Sequence, residues 1–327
     1  MSSTTLTERE EPAAFAHHSI PRRTSRLPRK LRFPILLALN FCINSSLWSV
    51  AEKFLPAELG AVSKNEDDIY HVLARLAYRI GFLYFTWRAN YDWVDVSALT
   101  TLTTVPYAYV LATYYAVSKQ TVAVLTTIEV LSIAFPTLLL RPLSPYHKPN
   151  APVQTRFLIE SFQVQVSTAL LAIGVYVVVL WVAIRSSLLN TFLVSHFDIP
   201  TLEESHTETP LSLAVKLAPA GLAARSFLLN PSFGAQSGAR TPTRAFDPAT
   251  ATLSETLRYN FWFFTKRTRT LIKQTAVISA FMLVNTALRT LTLQGSDAVG
   301  ATGYAAGWVL ATVVTAAWWL WVGDTED

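Results

Sequence analysis

Charge is scarce in this chain of 327 residues: Asp, Glu, Lys and Arg together make up 15% of it, against about 25% in soluble globular domains. That shortage excludes a disordered polyelectrolyte and argues against a soluble enzyme. Cysteine is nearly missing. The single Cys42 rules out an intrachain disulfide and any multi-cysteine zinc site. It lies in an apolar run, where a lone cysteine is expected as a small core residue. Glycine is sparse too, at 11 residues, and no glycine-rich phosphate loop, dinucleotide fingerprint, nucleophile elbow or His-Glu-x-x-His motif occurs.

What the chain has instead is apolar length. Hydrophobic residues are 51% and aromatic residues 12%, with a mean hydropathy of +0.31. The uncharged runs are long enough for membrane helices, since about 20 residues at about 1.5 Å each cross a core of about 30 Å. The runs at 33–51, 96–117, 121–140, 162–184, 275–293 and 300–322 predict six spans in an all-α integral membrane bundle. Pro106 should kink the second, with the preceding threonines supplying hydroxyls to the disturbed backbone. Trp318, Trp319 and Trp321 read as an aromatic belt. No internal repeat suggests a duplicated transporter fold.

Between the spans the sequence is polar in distinct ways. Residues 1–32 carry Arg22, Arg23, Arg26, Arg29, Lys30 and Arg32 among prolines, which reads as a disordered basic tail ahead of an uncleaved signal-anchor. The acids in that tail argue against a transit peptide. Residues 69–87 have apolar positions at helical spacing, with His71, Arg75 and Arg79 four apart as one polar stripe. Two arginines at mid-span are costly, so this stretch is expected to lie in the interface with its stripe toward headgroups, a crossing being the alternative that would make seven spans. Residues 186–273 form the one long polar connection. It contains a weakly amphipathic stretch at 211–229 and a Ser/Thr/Pro/Gly-rich part at 230–254. It ends in a basic aromatic helix over 257–273, in which Trp262, Lys266, Arg267, Arg269 and Lys273 are expected at the membrane interface.

The charge asymmetry gives an orientation. With six spans both termini share a side, and the positive-inside rule puts the basic tail and the 258–273 cluster in the cytosol. Arg141, Lys148 and Arg156 then fall on the wrong side, a conflict that six spans leave standing. The net charge of +5 sits beside apolar runs, which indicates anionic lipid headgroups rather than nucleic acid as the partner.

Few residues offer chemistry. Glu129 and Arg289 are charges inside spans, and their depths differ by roughly 9 Å along the helix axis, so an intramembrane pair is within an arginine's reach; the alternative is that Arg289 snorkels to the nearer interface and Glu129 bonds a neighbouring Thr or Tyr. Gly303 and Gly307 form a small-xxx-small pair, expected to let helices pack closely. His196, Asp198, Glu203, Glu204 and His206 are metal-capable but match no zinc spacing, and read as a solvated acidic loop. Asp92 and Asp95 could hold Mg²⁺ against a diphosphate, as in membrane prenyl transfer, but no second such motif exists; acids at a helix start suit its dipole. The stretch from Thr256 to Trp262 resembles part of the membrane wax-synthase-type acyltransferases. That resemblance implies a histidine just after the Phe-Trp pair, whereas Phe263, Phe264, Thr265 and Lys266 follow here and no histidine lies beyond His206. The family is therefore not assigned. No metal and no cofactor are expected.

These observations predict a multi-pass endomembrane protein, of the endoplasmic reticulum or nuclear envelope, that organises lipids or membrane protein partners without catalysis. A membrane enzyme acting on a lipid or prenyl substrate, or a small-solute transporter using Glu129 and Arg289, are the alternatives.

Overall fold

The computed structural model describes residues 28, 30–55, 57–64, 69–151, 153, 156–235, 252–254, 256 and 266–323. Among the described residues the structure is helical, without strands; one isolated bridge joins Ser63 to Leu293. Eight long helices carry the fold: α1 (Arg32–Ala51), α2 (Ile69–Arg88), α3 (Trp93–Tyr114), α4 (Lys119–Leu140), α5 (Phe162–Arg185), α6 (Pro210–Ala224), α7 (Lys266–Thr290) and α8 (Ala298–Gly323). A π turn over Arg225–Leu229 and a helical turn at Asn230–Gly234 prolong α6.

Side chains at the helix starts set where each helix begins. Asp92 accepts hydrogen bonds from the backbone N–H groups of Val94 and Asp95, Ser118 caps α4, Ser161 caps α5, and Thr209 with Ser212 forms a capping box on α6. Each satisfies an orphan donor of a first helical turn. α2 stops at Asn90, whose φ of 61° is a left-handed conformation that asparagine tolerates.

The eight helices alternate in direction. Residues 62–64, just after α1, bond to Thr292 and Gln294 at the end of α7. Tyr115, at the end of α3, donates to the Gln294 carbonyl. Ser118, at the start of α4, binds Glu58, and Ser205, just ahead of α6, binds Tyr114. These contacts define one end of the bundle. At the other end, Phe33 meets Tyr84 edge to face, Arg141 after α4 binds carbonyls in the last turn of α2 and just beyond it, Arg225 reaches the Ile159 carbonyl before α5, and Ser232 after α6 binds the Arg267 carbonyl at the start of α7. The chain enters at this second group, the entry end, and α8 runs back to it.

Among the described residues six helices are long and apolar enough to cross a membrane: α1, α4, α5, α6 with its extension to Gly234, α7, and α8 to Val322. Large apolar side chains cover their outer faces, among them Leu131, Phe135, Leu170, Val178, Leu310 and Trp318. An exposed apolar surface of that breadth suits lipid contact.

The expected set of spans also numbers six, but it is a different set. The run at 96–117 falls in α3, a helix of 22 residues enclosed by the others and buried along nearly its whole length; its threonines and tyrosines make it the less apolar one. The asparagine of α7 supports its proline region, Asn285 Nδ2 donating to the Thr103 carbonyl at 2.7 Å, and Tyr304 binds the Pro106 carbonyl at 2.7 Å. The stretch 211–229, expected in a connecting loop, is instead the buried helix α6, with Leu213, Leu217, Ala220, Ala224 and Phe227 at 0–1% exposure. Residues 69–87 do not lie across one end. α2 runs the height of the bundle and packs Tyr78 and Phe82 on Phe281 of α7. The expected separate interfacial helix over 257–273 is corrected in part: residues 266–273 are the first turns of α7, while Trp262 and residues 257–265 lie outside the described residues. Cys42 is not in the core but exposed on α1.

This arrangement sorts the charges. Arg88, Arg141, Lys148, Arg156, Arg225, Lys266, Arg267, Arg269 and Lys273 all gather toward the entry end, beside Lys30 and Arg32. Glu52, Glu58, Asp198, Glu203, Glu204, Glu208 and Asp297 lie toward the other, with Lys53, Lys64, Lys119 and Arg185 among them, and the acids of the entry end include the buried Asp92 and Asp95.

Candidate functional site

Charge buried among greasy helices is the feature that demands an account. Glu129 sits ten residues into α4, and Arg79 ten residues into α2, from the same end of the bundle. Both are therefore about 15 Å deep. Arg289 lies near the end of α7, and helical side chains lean toward the N-terminus of their own helix, which carries its guanidinium inward. The carboxylate ends up between the two arginines: Oε1 is 2.8 Å from Arg289 Nη2 and Oε2 is 3.1 Å from Arg79 Nη1.

Neutral partners complete the network. Arg79 Nε donates to Asn40 Oδ1 and Nη2 to Ser132 Oγ, both at 2.9 Å. Asn40 Nδ2 in turn donates to the Ser132 carbonyl at 2.7 Å. Arg289 Nε donates to Asn285 Oδ1 at 3.2 Å, with its guanidinium 5.7 Å from the Tyr107 ring centre. The network thus joins α1, α2, α3, α4 and α7. The structure brings the expected pair together and adds Arg79, which the sequence reading turned toward headgroups. The missed signal is depth: Arg79 and Glu129 count the same number of residues from one end.

A second cluster occupies the entry end. Asp92 Oδ1 caps α3, while Oδ2 accepts from the Ser144 N–H at 2.8 Å and lies 2.7 Å from His147 Nδ1. Burial opposes ionisation of Asp92, but bonds from His147 and the backbone amides of Asp95 and Ser144 outweigh it and hold its carboxyl below the usual range. Tyr146 donates to Asp95 Oδ2 at 2.6 Å. Asp92 and Asp95 are both 0% exposed, so the solvated helix start expected for them is corrected to a buried clamp on residues 144–147. Histidine 147 comes from 52 positions beyond Asp95, too far for local spacing to reveal.

Arg141 locks the same end. Its guanidinium donates to the carbonyls of Trp87 (2.6 Å), Tyr91 (3.0 Å) and Thr86 (3.3 Å) and lies 4.1 Å over the Trp87 ring. These carbonyls at the end of α2 would otherwise lack partners. Arg141→Ala is expected to lower unfolding stability by about 2–3 kcal/mol. Arg141→Lys should restore less than half of that, because a compact ammonium cannot fork across several carbonyls. Thermal unfolding in detergent of the three proteins checks both statements.

The remaining candidates are dispersed. His196 pairs with Asp297 at 3.0 Å, and that bond draws the Asp297 carboxyl below its ordinary range. Glu204 lies 2.9 Å from Lys216, which also pairs with Glu208. The acidic 196–208 segment is therefore tied to its surroundings, and its acids and histidines do not converge. A Cβ on Gly303 would meet the Phe192 ring, whereas Gly307 faces open space. Lys266, Arg267, Arg269 and Lys273 line the start of α7, Arg267 standing 5.1 Å from the Phe233 ring centre.

No family model, curated protein or solved structure matches the chain.

Proposed function

We propose that this chain is a membrane protein crossing the bilayer with all eight long helices, both termini cytosolic, that works without catalysis by holding anionic lipid headgroups and partner proteins at its basic face. One observation carries the reading: the alternation of eight helices brings Arg141, Lys148, Arg156 and the basic start of α7 to the entry end. Six spans left Arg141, Lys148 and Arg156 opposed to the basic tail; eight put them beside it, as the positive-inside bias requires. A cytosolic surface of that sign attracts phosphatidylserine and phosphoinositides, at about 1 kcal/mol per basic residue near the surface. The long polar tail supports an endomembrane such as the endoplasmic reticulum or nuclear envelope.

The buried network supports a clamp over a transport path. Glu129 engages both oxygens, and Arg79 all three nitrogens, with protein partners.

Orientation is testable with single cysteines in a Cys42→Ser background. Lys148→Cys should react with an impermeant maleimide only from the cytosolic side, and Lys119→Cys only from the opposite side. The reverse pattern would restore six spans and remove the eight-pass reading. For the lipid role, replacing Lys148, Lys266 and Lys273 together by glutamate should reduce by several-fold the phosphatidylserine or phosphatidylinositol that co-purifies with the protein. Undiminished retention would count against headgroup binding.

A further inference from the structure

We propose that Asp92, Asp95 and His147 form a binding site for one divalent transition-metal cation, zinc or manganese, at the entry end of the bundle. The donor atoms of the three side chains lie within 4.8 Å of one another. A tetrahedral shell with bonds of about 2.0–2.2 Å has edges of about 3.4 Å, so a cation would replace the 2.7 Å Asp92–His147 hydrogen bond and that edge would open by about 0.7 Å. Two carboxylates and one imidazole are a donor set for zinc or manganese; calcium and magnesium prefer oxygen throughout.

Two further observations point to an occupant. Asp95 Oδ1 is buried and has no hydrogen-bond donor, although Asp95 is 0% exposed. A carboxylate oxygen left bare in the interior is costly, and a cation is one thing that satisfies it. Asn230 approaches from the end of α6: it is 6% exposed, its Nδ2 stands 3.3 Å from His147 Nε2, and its Oδ1 is buried without a donor. The amide nitrogen is the atom that faces the ring, so turning this amide over would present its unpartnered oxygen there as a fourth ligand. The elements are held from outside as well, since Ser144 N–H and Tyr146 O–H fix the loop on the two aspartates. Such partners orient metal ligands. The ion would pin the 144–147 loop and the end of α6 to the start of α3. This inference is independent of the lipid role.

The full chain, purified in detergent, stripped with chelator and dialysed against zinc or manganese chloride, should retain one ion per chain by mass spectrometry. Asp95→Asn and His147→Gln should each weaken retention at least tenfold. Cobalt(II) in the unaltered protein gives a readout that needs no variant: intense d–d bands of a four- or five-coordinate site support the assignment. Absence of stoichiometric zinc and manganese in the unaltered protein, cobalt with the weak bands of a hexaaqua ion, or undiminished retention by both variants would each overturn it.

Discussion

Replacing Glu129 by glutamine should destabilise the folded protein by about 3–5 kcal/mol, the usual effect of breaking a buried ion pair from one side. The geometry explains the size. The carboxylate alone neutralises Arg79 at 3.1 Å and Arg289 at 2.8 Å, so its loss leaves two guanidiniums facing each other in a medium of low dielectric. Arg289→Gln is expected to be milder, because Arg79 still pairs with Glu129. The double variant Glu129→Gln, Arg289→Gln should be more stable than the sum of the single effects predicts, since one uncompensated cation has gone. Additive effects would remove the coupling. Replacing all three by leucine or methionine separates a clamp from a working site. Buried ion networks often exchange for apolar residues at little cost, so a triple variant with near-native stability and lipid retention identifies the network as scaffolding. Unfolding in detergent, followed by tryptophan fluorescence, measures every member of the series.

How far the sequence discloses this arrangement follows from the range of each interaction. The runs at 33–51, 121–140, 162–184, 275–293 and 300–322 are legible because hydropathy is additive along the chain; four lie within a helix apolar enough to cross, and 275–293 overruns its helix by three residues. α2 is not legible, because its arginines look prohibitive until Glu129, fifty positions on, supplies the opposite charge. Lys216 hides α6 in the same way. It carries a charge into the first turns of an otherwise apolar helix, and its neutralisation by Glu204 and Glu208 depends on the chain folding back just ahead of Pro210. In the proposed eight-pass reading the conflict over Arg141 traces to both omissions: a crossing by α2 moves that loop to the side of the basic tail, and one by α6 keeps residues 266–273 there. At the candidate sites, Glu129 and Arg289 could be paired by counting depth along two helices. Asp92 and His147 could not, because a three-residue turn after α4, with no periodicity of its own, delivers the imidazole.

α6 supplies the second large effect. A Cβ added to Gly221 would lie 2.3 Å from Ile173 Cγ1, 2.9 Å from the Ile173 nitrogen and 3.1 Å from its Cα. Two of those atoms are backbone, so a rotamer change cannot relieve the contact; α5 and α6 must separate. Overpacking of a tight interior typically costs about 1–3 kcal/mol. Gly221→Ala is expected within that range, and Gly221→Leu beyond it, with loss of folded protein from detergent extracts. Gly174, one residue from Ile173 on α5, gives the internal control, since a Cβ there meets nothing within 4 Å. Gly174→Ala should be neutral or stabilising by up to about 1 kcal/mol, because alanine is the better helix former. The contrast between two glycines that approach the same isoleucine separates the alternatives for residues 210–234. In a solvated connecting loop both substitutions would raise helix propensity and both would be tolerated. In a bundle where α6 crosses against α5, Gly221 alone fails, because only there does the backbone of a neighbouring helix occupy the space that a methyl group needs.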